Sequence, residues 1–193
     1  MGISNEVVSS YAETLNFIPE KSRLELGSVE VSYHCDKFNT RILKNFEDVL
    51  GFEKGSILLK KSAETTTYDA LKKFLNQDDI KANFDALSPE DKIKTIFEMF
   101  KVSAYGALEI SSLSPGKSVF VSKSSYMAEG WLENKEKFNW EERDLPVCHD
   151  ISGHLCAALS IVYDKPACSF KIVETKCRAK GDDICEFVAE VNE

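Results

Sequence analysis

The sequence predicts an α+β fold in which helices pack on one face of an antiparallel sheet. Three observations carry this. Apolar residues recur at helical spacing through much of residues 38–100. After Gly106 the period falls to two, over residues 108–121 and again over 170–191. A helical stretch separates these two regions, so the strands come in pairs and do not alternate singly with helices as a parallel sheet requires.

Residues 1–27 carry scattered apolar side chains (Val7, Val8, Tyr11, Leu15), read either as a short helix packed on the rest or as an arm; the domain proper spans 28–193. Residues 26–33 alternate well enough for a strand. Asp36 is placed to cap a helix containing Phe38, Ile42, Phe46 and Val49, widened by Leu43 and Leu50, with Gly51 suited to its C′ position. A second helix is expected from near Thr67, with Tyr68, Leu71, Phe74 and Leu75 inside. A third has a well-marked start, with Ser88 as N-cap, Pro89 at N1 and Asp91 in a capping-box position. Ile93, Ile96, Phe97 and Phe100 then share its face. Leu108 and Ile110, a turn at 114–117 and Val119–Phe120–Val121 form a hairpin. A short helix is expected over 126–132 and a longer one over 146–163, with Val147, Ile151, Leu155, Leu159 and Val162 on its buried stripe. Strands at 170–178 and 184–191 close the chain.

The 193 residues suit one domain, and a chain of that length buries about 70% of its unfolded surface. Lys and Arg number 24 against 32 Asp and Glu, a net charge of −8. That sign argues against a nucleic-acid face and against docking on an anionic membrane. No apolar run approaches the ~18 residues of a bilayer span. Residues 1–6 have neither the basic stretch nor the apolar core of a signal peptide, and Glu6 stands where a myristoylation motif wants Ser or Thr. The protein is therefore expected in the cytoplasm.

Of six cysteines, Cys35, Cys148, Cys156, Cys168, Cys177 and Cys185, the last two are the most informative. A hairpin turning at Lys180-Gly181-Asp182-Asp183 puts Cys177 opposite Cys185, close enough for both thiolates to share a metal. Glu174 lies three residues before Cys177, which strict alternation puts on the other face; it joins only through a bulge or bend. Cys148 and Cys156 are eight residues apart, about 12 Å along a helix, so one metal takes one of them. Spacing does not choose between them. Cys148 and His149 are neighbours and point about 100° apart on a helix, which argues against a thiolate–imidazole catalytic pair. No residue is assigned a catalytic role. Glycine-rich phosphate loops and dinucleotide fingerprints are lacking as well.

Pro146-Val147-Cys148-His149 followed by Gly153, then Glu174-Thr175-Lys176-Cys177, Lys180-Gly181-Asp182-Asp183 and Cys185-Glu186-Phe187 resemble the 4-vinyl reductase domain family over about residues 100–191. The whole-chain layout resembles the same fold, shared with small subunits of vesicle-tethering complexes and with sensory domains of aromatic-catabolism activators. The resemblance implies Zn²⁺ held by Cys148, Glu174, Cys177 and Cys185, and hence the bend that spacing left open. It also implies an apolar pocket for a small hydrophobic or aromatic ligand. Phe97, Phe100, Tyr126 and Trp131 are its candidate lining, drawn from an aromatic set that otherwise reads as core. A homodimer paired through the helix of residues 38–50 follows from the same resemblance. The expected function is a stand-alone, zinc-binding ligand sensor. The alternatives are an assembly scaffold, marked by an exposed apolar face without a cavity, and a tetrapyrrole vinyl-group reductase or its accessory, which would need a hydride source.

Overall fold

The computed structural model describes residues 5–27, 29–32, 34–114 and 116–192. Residues 1–4, Ser28 and Tyr33 of the expected first strand, and Pro115 of the expected turn lie outside these. The elements run α1 (Asn5–Glu13), β1 (Asn16–Ile18), β2 (Arg23–Leu26), β3 (Val29–Val31), α2 (Asp36–Leu50), α3 (Phe52–Leu75), α4 (Asp78–Asp85), α5 (Pro89–Val102), β4 (Gly106–Ser112), β5 (Lys117–Ser125), α6 (Tyr126–Phe138), α7 (His149–Val162), β6 (Phe170–Lys176) and β7 (Cys185–Val191). They form an α+β fold with two antiparallel sheets, β1-β2-β3 and β4-β5-β7-β6.

The four-stranded sheet carries the C-terminal half. Its alternation is clean: Phe170 and Ile172 of β6 and Cys185, Phe187 and Ala189 of β7 are buried, whereas Lys171 and Val173 face solvent. Helices α5 and α7 cover the buried face. Ser88 caps α5 as expected, its Oγ accepting from the Asp91 N–H at 3.1 Å and donating to the Asp91 carboxylate at 2.9 Å. The predicted stripe of α7 is buried in full, but so is nearly every other residue of that helix. It is the central element, packed on α3 along its length and against β6 and α5.

Several elements differ from the sequence expectation, and helix α4 was not expected. α3 starts at Phe52, fifteen residues before Thr67. Up to Thr67 its buried positions are Gly55, Glu64 and Thr67, so no run of large apolar residues marks its start. α6 continues past Leu132 to Phe138 because the buried Asn134, not an apolar residue, anchors its last turns; its amide donates to Thr40 Oγ1 and the Lys37 carbonyl. α7 starts at His149, with Cys148 as its N-cap. Cys35 takes the N-cap of α2; Asp36 sits inside the first turn and its carboxylate accepts from the Lys37 N–H at 2.7 Å. The expected strand over 26–33 is a hairpin, with Leu26 paired to Val29 across Gly27. Gly27 has φ +60°, and a Cβ there would stand 2.7 Å from the Tyr11 ring, so the turn requires glycine.

Residues 5–13 form the helical alternative of the N-terminal reading. Val7 is fully buried and the Tyr11 ring meets Phe74 edge-on at 5.1 Å. Leu15 is exposed.

Candidate metal centre and ligand cavity

Four segments converge at one end of α7. Cys148 precedes the helix with φ −85° and ψ 50°, Glu174 ends the regular part of β6, Cys177 follows that strand, and Cys185 opens β7. One ligand atom from each lies within 4.8 Å of the others, and the three cysteines are buried. The bend that Glu174 needs is present: Glu174 pairs with Phe187 but Lys176 pairs with Glu186, so Thr175 is an extra residue in β6. The turn between the cysteines is a 3-10 turn over Arg178–Lys180 closed by Gly181 at φ +98°.

The atoms fit a bound cation. The Cys148 and Cys185 sulfurs are 3.7 Å apart; two thiolates bound at about 2.3 Å in a tetrahedron stand about 3.8 Å apart. The Cys148 N–H donates to Glu174 Oε2 at 2.9 Å, which orients the carboxylate and leaves Oε1 buried with no hydrogen-bond partner. The Cys185 sulfur accepts from the Arg178 N–H at 3.5 Å, and Ser125 Oγ lies 3.1 Å from the Cys148 sulfur. Burial pushes the Cys148 thiol and the Glu174 carboxyl well above their ordinary ranges. Hydrogen bonds from Cys148 and Cys177 pull the Cys185 thiol down to about 5. Several acids share one small volume and cannot all ionise together unless a cation joins them. The group can hold a metal ion.

The other cysteines stand apart. Cys156 is buried two turns along α7, its thiol donating to Glu64 Oε1 at 3.0 Å and to the Phe170 carbonyl at 3.1 Å. Cys35 and Cys168 are exposed. His149 turns away from Cys148: its Nε2 is 3.7 Å from Glu47 and its ring meets Phe52 edge-on.

Asp150 and His154 of α7 also line a cavity of about 810 Å³. Its lining runs from exposed residues (Leu15, Glu30, His34) inward to buried ones (Leu71, Phe74, Met99, His154). Of the four aromatics expected at a pocket, Phe100 and Tyr126 line it. Phe97 lies behind Phe100, edge-on to Phe120 at 5.5 Å. Trp131 lies elsewhere, beneath the Arg143 guanidinium (4.1 Å) and beside Trp140 (4.8 Å).

Two polar lining residues, His154 and Asp150, had escaped assignment to a pocket. His154, which reads as an ordinary surface or core histidine, stacks on Tyr105 at 4.3 Å and shares a 2.7 Å hydrogen bond with Thr67 Oγ1 through Nδ1. Burial holds its pKa down at about 3, so the ring is neutral. Asp150, one turn earlier, is buried with its carboxyl pushed up to about 7. Tyr105 is raised by burial and by the charges of Tyr11 and Asp150. The available signal was an ionisable pair, Asp150 and His154, at i and i+4 on a largely buried helix.

No family model and no curated protein matches this chain. Solved structures do. The phenol-responsive sensory domain of the transcription activator PoxR, solved with phenol, superposes with a TM-score of 0.76 at 14% identity, over 96% of this chain and 89% of that one. Trafficking protein particle complex subunit 3 from Naegleria fowleri, covalently bound to palmitic acid, gives 0.51 at 13% identity over 82% and 95%. A vinyl-4-reductase family protein from Methanocaldococcus jannaschii gives 0.51 at 16% identity over 100% and 99%. At these identities the likeness is one of fold, and it is the fold that the cysteine and glycine motifs pointed to. No helix among the described residues is long and apolar enough to cross a membrane.

Proposed function

We propose that this protein is a small-molecule binding domain that takes an apolar ligand into the cavity beside α7 and uses a zinc ion to brace the wall behind it. The observation that carries the reading is the cavity itself: about 810 Å³, walled by Leu59, Leu71, Phe74, Met99 and Phe100 with a few inward polar groups. Ligand sites have this size and this mixture. The superposed sensory domain was solved with phenol, which supports the same use of the fold here. The scaffold alternative expects an exposed apolar face without a cavity, and the cavity supports the ligand-binding reading over it.

Covalent capture has no support at this cavity. The trafficking-complex subunit holds its palmitic acid covalently, but no cysteine lines the cavity among the described residues.

Apolar compounds should raise the melting temperature by mass action. A thermal-shift screen of phenols, indoles and aliphatic chains tests this, with a shift of several degrees expected from at least one class. Silence from every class at millimolar ligand would refute the reading.

Three thiolates and one carboxylate match the donors and closure of a structural zinc site. Such a site supplies cross-linking and no open coordination position for chemistry. Cys148, Glu174, Cys177 and Cys185 would tie the start of α7 to the β6–β7 hairpin.

A homodimer belongs to the same proposal. Only Thr40 and Leu43 of α2 are buried; Phe38, Phe46, Val49 and Leu50 face solvent. Ile57 and Leu58 of α3 are exposed as well. An apolar face of this kind on both chains suits a two-fold pair. Light scattering at micromolar concentration should give about twice the chain mass. A monomer that persists across a wide concentration range removes the dimer.

A further inference from the structure

The charges of the cavity narrow its ligand further than its size does. The ionisable carboxyl groups along the lining belong to Glu30, Asp36 and Asp150, and neither lysine nor arginine appears among the described lining residues. Glu30 is exposed and Asp36 half-buried, near the open end, whereas Asp150 is 8% exposed and deep. Asp150 Oδ1 accepts from the Ile151 N–H at 2.8 Å. Among the described residues no side chain donates to this carboxyl. In the first turn of α7 the helix N-terminus offsets part of its burial cost, but a buried carboxylate ordinarily has a cationic side-chain partner as well.

The groups around Asp150 do not supply one. His154 stands one turn further along the same helix, its Nδ1 engaged with Thr67 and its ring neutral through burial. Tyr105 stacks on His154 at 4.3 Å, and Tyr126 lies 5.9 Å from Tyr105. These rings offer π faces, which attract cations. The inner end of the cavity is thus an acceptor walled by aromatic faces.

We propose that the ligand is an apolar amine whose protonated nitrogen pairs with the Asp150 carboxylate while its hydrophobic part lies among Leu71, Phe74, Met99 and Phe100. A charged donor forms a stronger hydrogen bond to a carboxylate than a neutral hydroxyl does. A ligand carboxylate or phosphate would meet Asp150 with like charge and no lysine or arginine to receive it. Free fatty acids and porphyrin propionates should therefore bind more weakly than amines of matching size. This assignment rests on the cavity being the ligand site.

Calorimetric titration of the metal-loaded protein with two matched series provides the test: phenethylamine, phenethyl alcohol and phenylacetate, then octylamine, octanol and octanoate. At about pH 8 the amines are protonated and the acids ionised. The amine of each series should bind at least ~10-fold more tightly than the alcohol, about 1.4 kcal/mol, and the acid most weakly. D150N should abolish the amine preference, keep the alcohol within about 2-fold, and leave metal content unchanged. The wild-type ranking needs no variant, so a misfolded D150N leaves the test intact. Alcohol binding equal to or tighter than amine binding overturns the head-group assignment while preserving the pocket. An amine preference that survives in folded D150N overturns the role of Asp150. No binding by any of the six compounds removes the pocket reading and this proposal with it.

Discussion

Removing the metal from the purified protein should lower its melting temperature by about 10–20 °C. The centre joins Cys148, ahead of the central helix, to Glu174, Cys177 and Cys185 around the β6–β7 turn. Without a cation these buried acids must protonate, and the turn loses its attachment to α7. A loss of about 5 kcal/mol is reasonable for a structural site; at about 2–4 °C per kcal/mol for a domain of this size, the shift follows. Protein purified without added metal should carry about one zinc per chain by elemental analysis. Cys148→Ser, Cys177→Ser and Cys185→Ser should each lower that content and the melting temperature together. Cys35→Ser and Cys168→Ser, at exposed positions, should leave the metal in place. Cys156→Ser should retain the metal while losing the contacts to Glu64 and Phe170. Release of zinc by Cys156→Ser but not by Cys148→Ser would show that the ligand set is wrong.

The hairpin half of the candidate metal site was legible because its parts are local; the choice of Cys148 over Cys156 came from the family resemblance and not from spacing. Opposition of Cys177 and Cys185 follows from counting outward from a glycine turn, and the register at Lys176 and Glu186 extends to that pairing. Glu174 was harder: alternation alone turns it away, and one extra residue in β6 brings it back. Helix α5 was readable from Ser88 onward because its cap and its apolar stripe agree. The start of α3 was not, because Gly55, Glu64 and Thr67 are its only buried positions before Leu71. The stripe of α2 illustrates a different limit. Periodicity establishes that Phe38, Phe46 and Val49 share a side, but not whether that side meets the core or another molecule. The inner end of the cavity was hidden for a related reason. Asp150 and His154 are informative only once α3, α5 and the Tyr105 segment are known to surround them.

Gly153→Ala should be among the most damaging single substitutions in the chain. Gly153 lies on α7 between the two polar residues of the cavity, where α7 crosses α3. A Cβ there would stand 2.3 Å from the Lys60 carbonyl oxygen, 2.8 Å from the Glu64 nitrogen and 2.9 Å from the Ala63 Cβ. Two of those are backbone atoms of a 24-residue helix, so no side-chain rotation relieves the clash. The helices must separate, and separation loosens the all-round packing of α7. Ordinary overpacking costs about 1–3 kcal/mol; a backbone clash at the most extensive helix contact should exceed the top of that range. The melting temperature should fall by about 10 °C or more. Gly116→Ala, with nothing within 4 Å of the added carbon, is the control and should move it by less than about 2 °C. The consequence for function is specific. Leu59, Thr67 and Leu71 of α3 line the same cavity as Asp150 and His154 of α7, with Thr67 bonded directly to His154 at 2.7 Å, so the separation that Gly153 sets between the helices also shapes the cavity. Folded Gly153→Ala at low temperature should bind apolar ligands more weakly than wild type while keeping its metal, because the four ligands lie beyond the helix's first turn. A melting temperature within 2 °C of wild type would mean that α3 and α7 are not in backbone contact, and the cavity would then owe its shape to something else.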